Sequence, residues 1–138
     1  MTVDSEAIIA LAAHSRNSAR ALERLRGAMA TGWLDERERD TVFVARGAGR
    51  PLWIGECTDG VFFASTRLAL EVVERYCRLK LRKREVKEGT WFALRDGLVS
   101  RRERFRPDLE YVEADPLPAV RAPGEREFCL TRLAAIAA

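Results

Sequence analysis

The sequence predicts an α+β fold, antiparallel sheets with helices packed on them, from three observations. Four short apolar runs follow one another with polar turns between them, "AMATGWLD", "TVFVARG", "PLWIGEC" and "GVFFAST", which is the sign of consecutive hairpins. Before this block and directly after it the apolar spacing changes to that of helices. Two more strand-like runs, "LKLRKREV" and "TWFALRDG", then follow.

In order along the chain, a first helix is expected from Asp4, where Ile8, Ile9, Leu11 and Ala12 share one face. Asp4 or Ser5 can cap its first turn, and "HSRNS" ends it. A second helix through "SARALERLRGA" would bury Ala21, Leu22, Leu25 and Ala28, with Gly27 near its end. The first hairpin turns through the charged "ERERD" loop. The second turns at Asp59-Gly60, a pair that tolerates the positive φ of a tight turn. The helix "STRLALEVVERY" starts at a Ser65 or Thr66 cap, and Leu68, Leu70, Val72 and Val73 spread over a broad buried face.

Residues 1–100 therefore read as the ordered segment and 101–138 as an arm ending in a short helix. The segment "RPDLEYVEADPLPAVRAPGERE" carries four of the five prolines, as an arm would. In "REFCLTRLAAIAA", Phe128, Leu130, Leu133 and Ile136 could dock a terminal helix.

With 138 residues, 47% of them hydrophobic, the chain can bury one modest core. Its 24 basic and 21 acidic residues leave a net charge of only +3, so a nucleic-acid footprint would require clustering. The clusters present are "RLKLRKRE", residues 78–85, and "RRERFR", residues 101–106. In the first, Leu79 and Leu81 alternate with Arg78, Lys80 and Arg82, the pattern of a strand with one solvated face. No aromatic platform interleaves the charges, so nucleic acid is not an expected partner.

Cys57, Cys77 and Cys129 are odd in number and widely spaced, and His14 is the one histidine, which fits neither a zinc site nor a disulfide framework. The apolar start is too short to span a bilayer and follows no basic segment, so the expectation is a cytoplasmic chain without a membrane partner. No cofactor motif appears. "ARGAGRP", with Arg46, Gly47, Gly49 and Arg50, lacks the lysine and hydroxyl of a phosphate-binding loop and reads as a hairpin connection. Cys57 reads as a small core residue rather than a nucleophile.

The stretches "VDSEAIIALA", "ALERLRGAMATGWLDERERDTVFVARGAGRPLWIGECTDGVFFASTRLALEVVERY" and "VKEGTWFAL" together resemble a known family, over roughly residues 3 to 97. The order of these motifs is similar to that in the second half of the glutaminase domain of class II glutamine amidotransferases, such as the domain in glucosamine-phosphate synthase. The resemblance implies an N-terminal nucleophile hydrolase architecture, two antiparallel sheets between helix layers (αββα), of which this sequence would hold a part. It also implies a chemistry, the splitting of glutamine into glutamate and ammonia. In the family an N-terminal cysteine thiolate attacks, its own α-amino group serves as base, and an asparagine and a glycine amide stabilise the oxyanion.

Those catalytic parts belong to the family's first half, which the resemblance does not reach. Thr2 could be exposed by removal of Met1, but it stands two residues before the matching motif, with no strands to cradle a scissile amide around it. No catalytic residue is therefore assigned. One functional position carries over by resemblance: the family's aspartate that binds the α-amino group of glutamine corresponds to Asp4. Thr66 replaces a common family aspartate and keeps the capping oxygen.

The resemblance thus implies an amidotransferase-like subunit or fragment that needs a protein carrying the cysteine half, or self-association, and that releases no ammonia alone. The alternative is a non-catalytic interaction module. The surrounding reading frame would separate the two.

Overall fold

Strands with apolar residues on both faces need cover on both sides, and two such strands organise this molecule. The computed structural model describes residues 4–111, with side chains described from Glu6 onward. The elements run α1 (Asp4–Ser15), a 3-10 helix (Ala19–Arg24), β1 (Ala30–Leu34), β2 (Thr41–Arg46), β3 (Trp53–Cys57), β4 (Gly60–Ala64), α2 (Arg67–Cys77), β5 (Arg82–Glu85), β6 (Thr90–Arg95) and β7 (Leu98–Arg104). A four-stranded sheet has the order β1-β2-β6-β7 and a three-stranded sheet the order β4-β3-β5. Every strand pairing is antiparallel, as the α+β reading requires.

The central pair is β2 with β6, and its two faces feed two cores. On one face Phe43, Ala45, Trp91 and Ala93 pack with Ala12 of α1 and with Ala19 and Leu22 of the 3-10 helix. Trp33, Phe43 and Trp91 form an aromatic row there, with successive ring centroids 5.6 Å apart. On the other face Val44, Phe92 and Leu94 meet Leu52, Ile54 and Val86, which closes the space between the sheets. Helix α2 covers the far side of the small sheet through buried Leu70, which lies over β3 at Gly55. The layers therefore run helices, large sheet, small sheet, helix.

Close approach fixes how the sheets meet. A Cβ on Gly32 of β1 would stand 2.9 Å from the Phe63 ring of β4, so the ring seats there because glycine leaves the space. At its other end β4 begins at Gly60, against Gly97 in the β6–β7 turn. The small sheet thus crosses the large one obliquely, from β1 to the β7 side.

Several local expectations change. The second helix is a 3-10 helix, and its buried or half-buried residues Ala19, Leu22 and Leu25 recur every three residues, as that geometry requires. Ala28 instead bridges to Ala48. The positive-φ pair is Asp96-Gly97, with φ of +52° and +73°, rather than Asp59-Gly60. In the β3–β4 turn Gly60 pairs with Cys57 as part of β4, so the turn residues are Thr58 and Asp59, neither of which takes a positive φ.

Ile9 is 58% exposed rather than buried, and in α2 Leu70 is buried while Leu68 is exposed. The basic strand starts at Arg82, after Leu79 and Leu81 have passed through irregular backbone. Strand β7 continues past residue 100 to Arg104. The expected terminal helix with Phe128, Leu130, Leu133 and Ile136 lies outside the described residues.

Candidate functional site

Asp4, the sequence-derived candidate, is the first residue of α1, and its side chain lies outside the described part. What can be built from residues upward is how that helix is held, because its far end is fixed by a polar cluster. Arg16 and Asn17 both take positive φ, 52° and 60°, and the Asn17 N–H reaches back to the Ala12 carbonyl at 2.9 Å. This six-to-one bond ends the helix.

The Asn17 side chain is buried and fully used. Its amide donates to Asp35 at 2.8 Å and to Glu38 at 3.2 Å, and its carbonyl accepts from the Trp33 indole at 3.0 Å. Arg37 donates through Nε and Nη2 to Asp35 and through Nη1 to the Ala13 carbonyl at 3.0 Å. The Arg37 guanidinium is the main reason the Asp35 carboxyl is held well below the usual carboxylate range, with the Arg37 and Asn17 N–H groups adding to it. The loop "DERERD" therefore fastens α1 to β1. Beside this cluster lies a cavity of ≈ 320 Å³ walled by Ile9, Ala13, Trp33 and Leu34.

A second polar corner involves Arg46, where β2 ends. It donates to the Glu85 carboxylate at 2.6 Å and the Val86 carbonyl at 2.5 Å, and Glu88 sits 4.0 Å away. Glu88 in turn accepts from the Gly49 N–H at 3.1 Å. "ARGAGRP" is thus a connection tied to β5 and to the loop before β6, and Arg46 is used internally. Glu74 of α2 is likewise committed: paired with Lys83 and accepting the Leu81 N–H, its carboxyl lies below the ordinary range, with Lys83 the larger cause.

Cys57 lies half-buried in β3 with Sγ 3.5 Å from the Gly60 carbonyl, and Cys77 is exposed at the end of α2. Thr66 caps α2, accepting from the Ala69 N–H at 3.2 Å. Thr2 and Cys129 lie outside the described residues. The structure does not gather the residues singled out in the sequence into one pocket. Asp4 stands about 16 Å along the helix from Ser15 at ~1.5 Å per residue, and Arg46 and Cys57 belong to other corners.

Sequence reasoning missed Asn17, Asp35 and Arg37. The available signal was an asparagine, tolerant of left-handed backbone, at the helix break, together with an aspartate that starts the hairpin loop.

No helix among the described residues is long and apolar enough to cross a membrane. A sequence model of the glutamine amidotransferase domain family matches residues 1–72, which run from before Asp4 through β4 and into α2. No curated protein matches the chain.

Proposed function

The chain belongs to the glutamine amidotransferase domain family, and from that premise we propose that it supplies part of a class II glutamine site completed by a partner. The observation that carries the reading is the family match over residues 1–72, which includes Asp4 at the start of α1. In this reading Asp4 holds the α-ammonium of glutamine by a charge-assisted hydrogen bond, which selects an amino acid over a simple amide.

The nucleophile belongs to the partner, a polypeptide with an N-terminal cysteine half. Its thiolate adds to the side-chain amide carbon, the nitrogen leaves as ammonia with a proton from the base, and water releases glutamate from the thioester. Neither Cys57, bonded within its hairpin, nor Cys77, at the exposed end of α2, is an N-terminal thiol of that kind. Association is supported by α1 itself. Its sequence "AIIALAA" is apolar around the circumference, yet among its described side chains only Ala12 is buried. Such a helix normally has cover on more than one side.

The test is reconstitution with a cysteine-half polypeptide. Asp4→Asn should lower glutamine affinity by about one to two powers of ten, since a charge-assisted bond contributes roughly 1.5–3 kcal/mol. The same change keeps a capping oxygen, so unfolding free energy should move by no more than about 1 kcal/mol. Unchanged affinity with lost stability would reduce Asp4 to a cap and withdraw the reading. A stable complex that binds no glutamine would favour the interaction module instead.

A further inference from the structure

Strand β7 forms one edge of the large sheet, and its outer backbone groups face no other strand among the described residues. The sequence there is Leu98-Val99-Ser100-Arg101-Arg102-Glu103-Arg104. The register with β6 shifts between Ala93 and Leu94, and the extra residue, Ser100, donates to the Ala93 carbonyl at 2.9 Å. Beyond this bulge Arg101–Arg104 pair regularly with Thr90–Ala93, leaving a clean edge of four residues.

Charge on an edge strand ordinarily keeps other strands away, and long mobile lysines suit that purpose. The β7 arginines are arranged differently. Arg101 lies over the Trp91 ring, 5.1 Å from its centroid, on the face that carries α1. Arg102 lies over the Phe92 ring at 5.7 Å on the opposite face, and Arg84 from β5 approaches the same ring at 5.9 Å. Arg104, on the Arg102 side, is hydrogen-bonded to the Thr90 hydroxyl. Glu38 stands 4.0 Å from Arg101 as a loose pair, whereas no carboxylate lies within ion-pair distance of Arg102 among the described residues.

A guanidinium laid on an aromatic ring keeps its N–H edge free for a carboxylate, and less side-chain freedom is lost when that bond forms. Cations are therefore held in place on both faces of one unpaired edge. An incoming strand places successive side chains on alternate faces, so adjacent acidic residues would meet Arg101 and Arg102 together.

We infer that the β7 edge is a docking strand for an extended acidic segment of another protein, which adds to the large sheet through its backbone while its carboxylates pair with Arg101, Arg102 and Arg104. Backbone pairing supplies affinity and the arginines select the partner. The inference does not rest on the glutamine site.

The test uses the full chain and a fluorescein-labelled peptide of about ten residues, the upper length of a typical strand, built from Glu-Glu pairs separated by Val-Thr. The expected result is saturable binding with new amide-exchange protection at Arg101–Arg104. Arg102→Glu should weaken binding by about tenfold or more, equivalent to at least one charged contact. Arg102→Gln should give a smaller loss in the same direction, and it carries the test if the reversal unfolds the protein by circular dichroism. A proline at the peptide's centre should abolish binding, because it removes a ladder donor.

The inference falls if the peptide fails to bind at about 1 mM, or if both arginine variants bind it as the parent does. It also falls if the proline peptide binds equally, leaving charge alone. Equal binding of an oligothymidylate of the same charge would assign the edge to polyanions and overturn it as well.

Discussion

Asn17 is the residue on which three segments converge, and its surroundings explain why the loop "DERERD" is more than a polar spacer. Its amide and carbonyl bind Asp35, Glu38 and Trp33, so the end of α1, the end of β1 and the hairpin loop share one buried donor–acceptor set. Asp35 anchors it as a carboxylate. Because pairing depresses its folded-state pKa, its contribution to stability is fully present above the ordinary carboxylate value near 4 and is lost as pH falls below that. Urea unfolding from about pH 6 down to about pH 3 should therefore show a falling midpoint, and Asp35→Asn should flatten that acid limb. An equally steep limb in the variant would place the titration elsewhere. The helix break at Asn17 carries a local signal, but its pairing with Asp35, Glu38 and Trp33 does not, because partners 16 to 21 residues apart leave no local pattern.

Elements were easier to read where a single local force decides them. The two hairpins and α2 followed from alternation and from the Thr66 cap, whose hydroxyl accepts the Ala69 N–H as that position requires. The expected second helix is of the 3-10 type because a stripe of small and apolar residues fits either period over so short a stretch, and packing decides between them. Two Asp-Gly pairs occur, and the tight left-handed turn formed at the second, where both residues lie in the two-residue loop between β6 and β7, while at the first Gly60 already belongs to β4. Gly97→Ala should thus lower stability by about 1–2 kcal/mol, the typical cost of a left-handed non-glycine residue. Its new Cβ would also stand 3.3 Å from Gly60 Cα. Asp96→Asn keeps a residue that tolerates this backbone and should change stability by less than about 0.5 kcal/mol. Equal effects in thermal unfolding would show that the turn does not constrain the hairpin.

At the scale of the whole molecule, the α+β layering follows from β2 and β6 being apolar on both faces, a property readable in "TVFVAR" and "TWFALR". Which surfaces stay uncovered was not readable, since exposure depends on what packs nearby. Leu34 is 71% exposed and flanks the same cavity as Ile9. Leu34→Lys should accordingly leave the unfolding free energy within about 0.5 kcal/mol, as for other exposed positions. If this surface is where the cysteine half docks, the same substitution should weaken reconstitution measured by sedimentation. A large loss of stability would mean that Leu34 is covered within the chain itself.

The pairing of β2 with β6 also bears on how the chain reaches this state. These neighbours in the middle of the large sheet are roughly 50 residues apart in sequence, a separation that makes closure of the pair slow. Between them the chain completes β3, β4, α2 and β5, all of which can pair with near neighbours first. During synthesis at about 5–20 residues per second, the β1–β2 hairpin emerges several seconds before β6 and waits with the apolar edge Val42–Ala45 unpaired. A strand that ends up at the centre of the large sheet, between β1 and β6, thus keeps one edge open for several seconds while the protein is being made. Its early fate depends on dilution or on a chaperone that holds extended apolar segments.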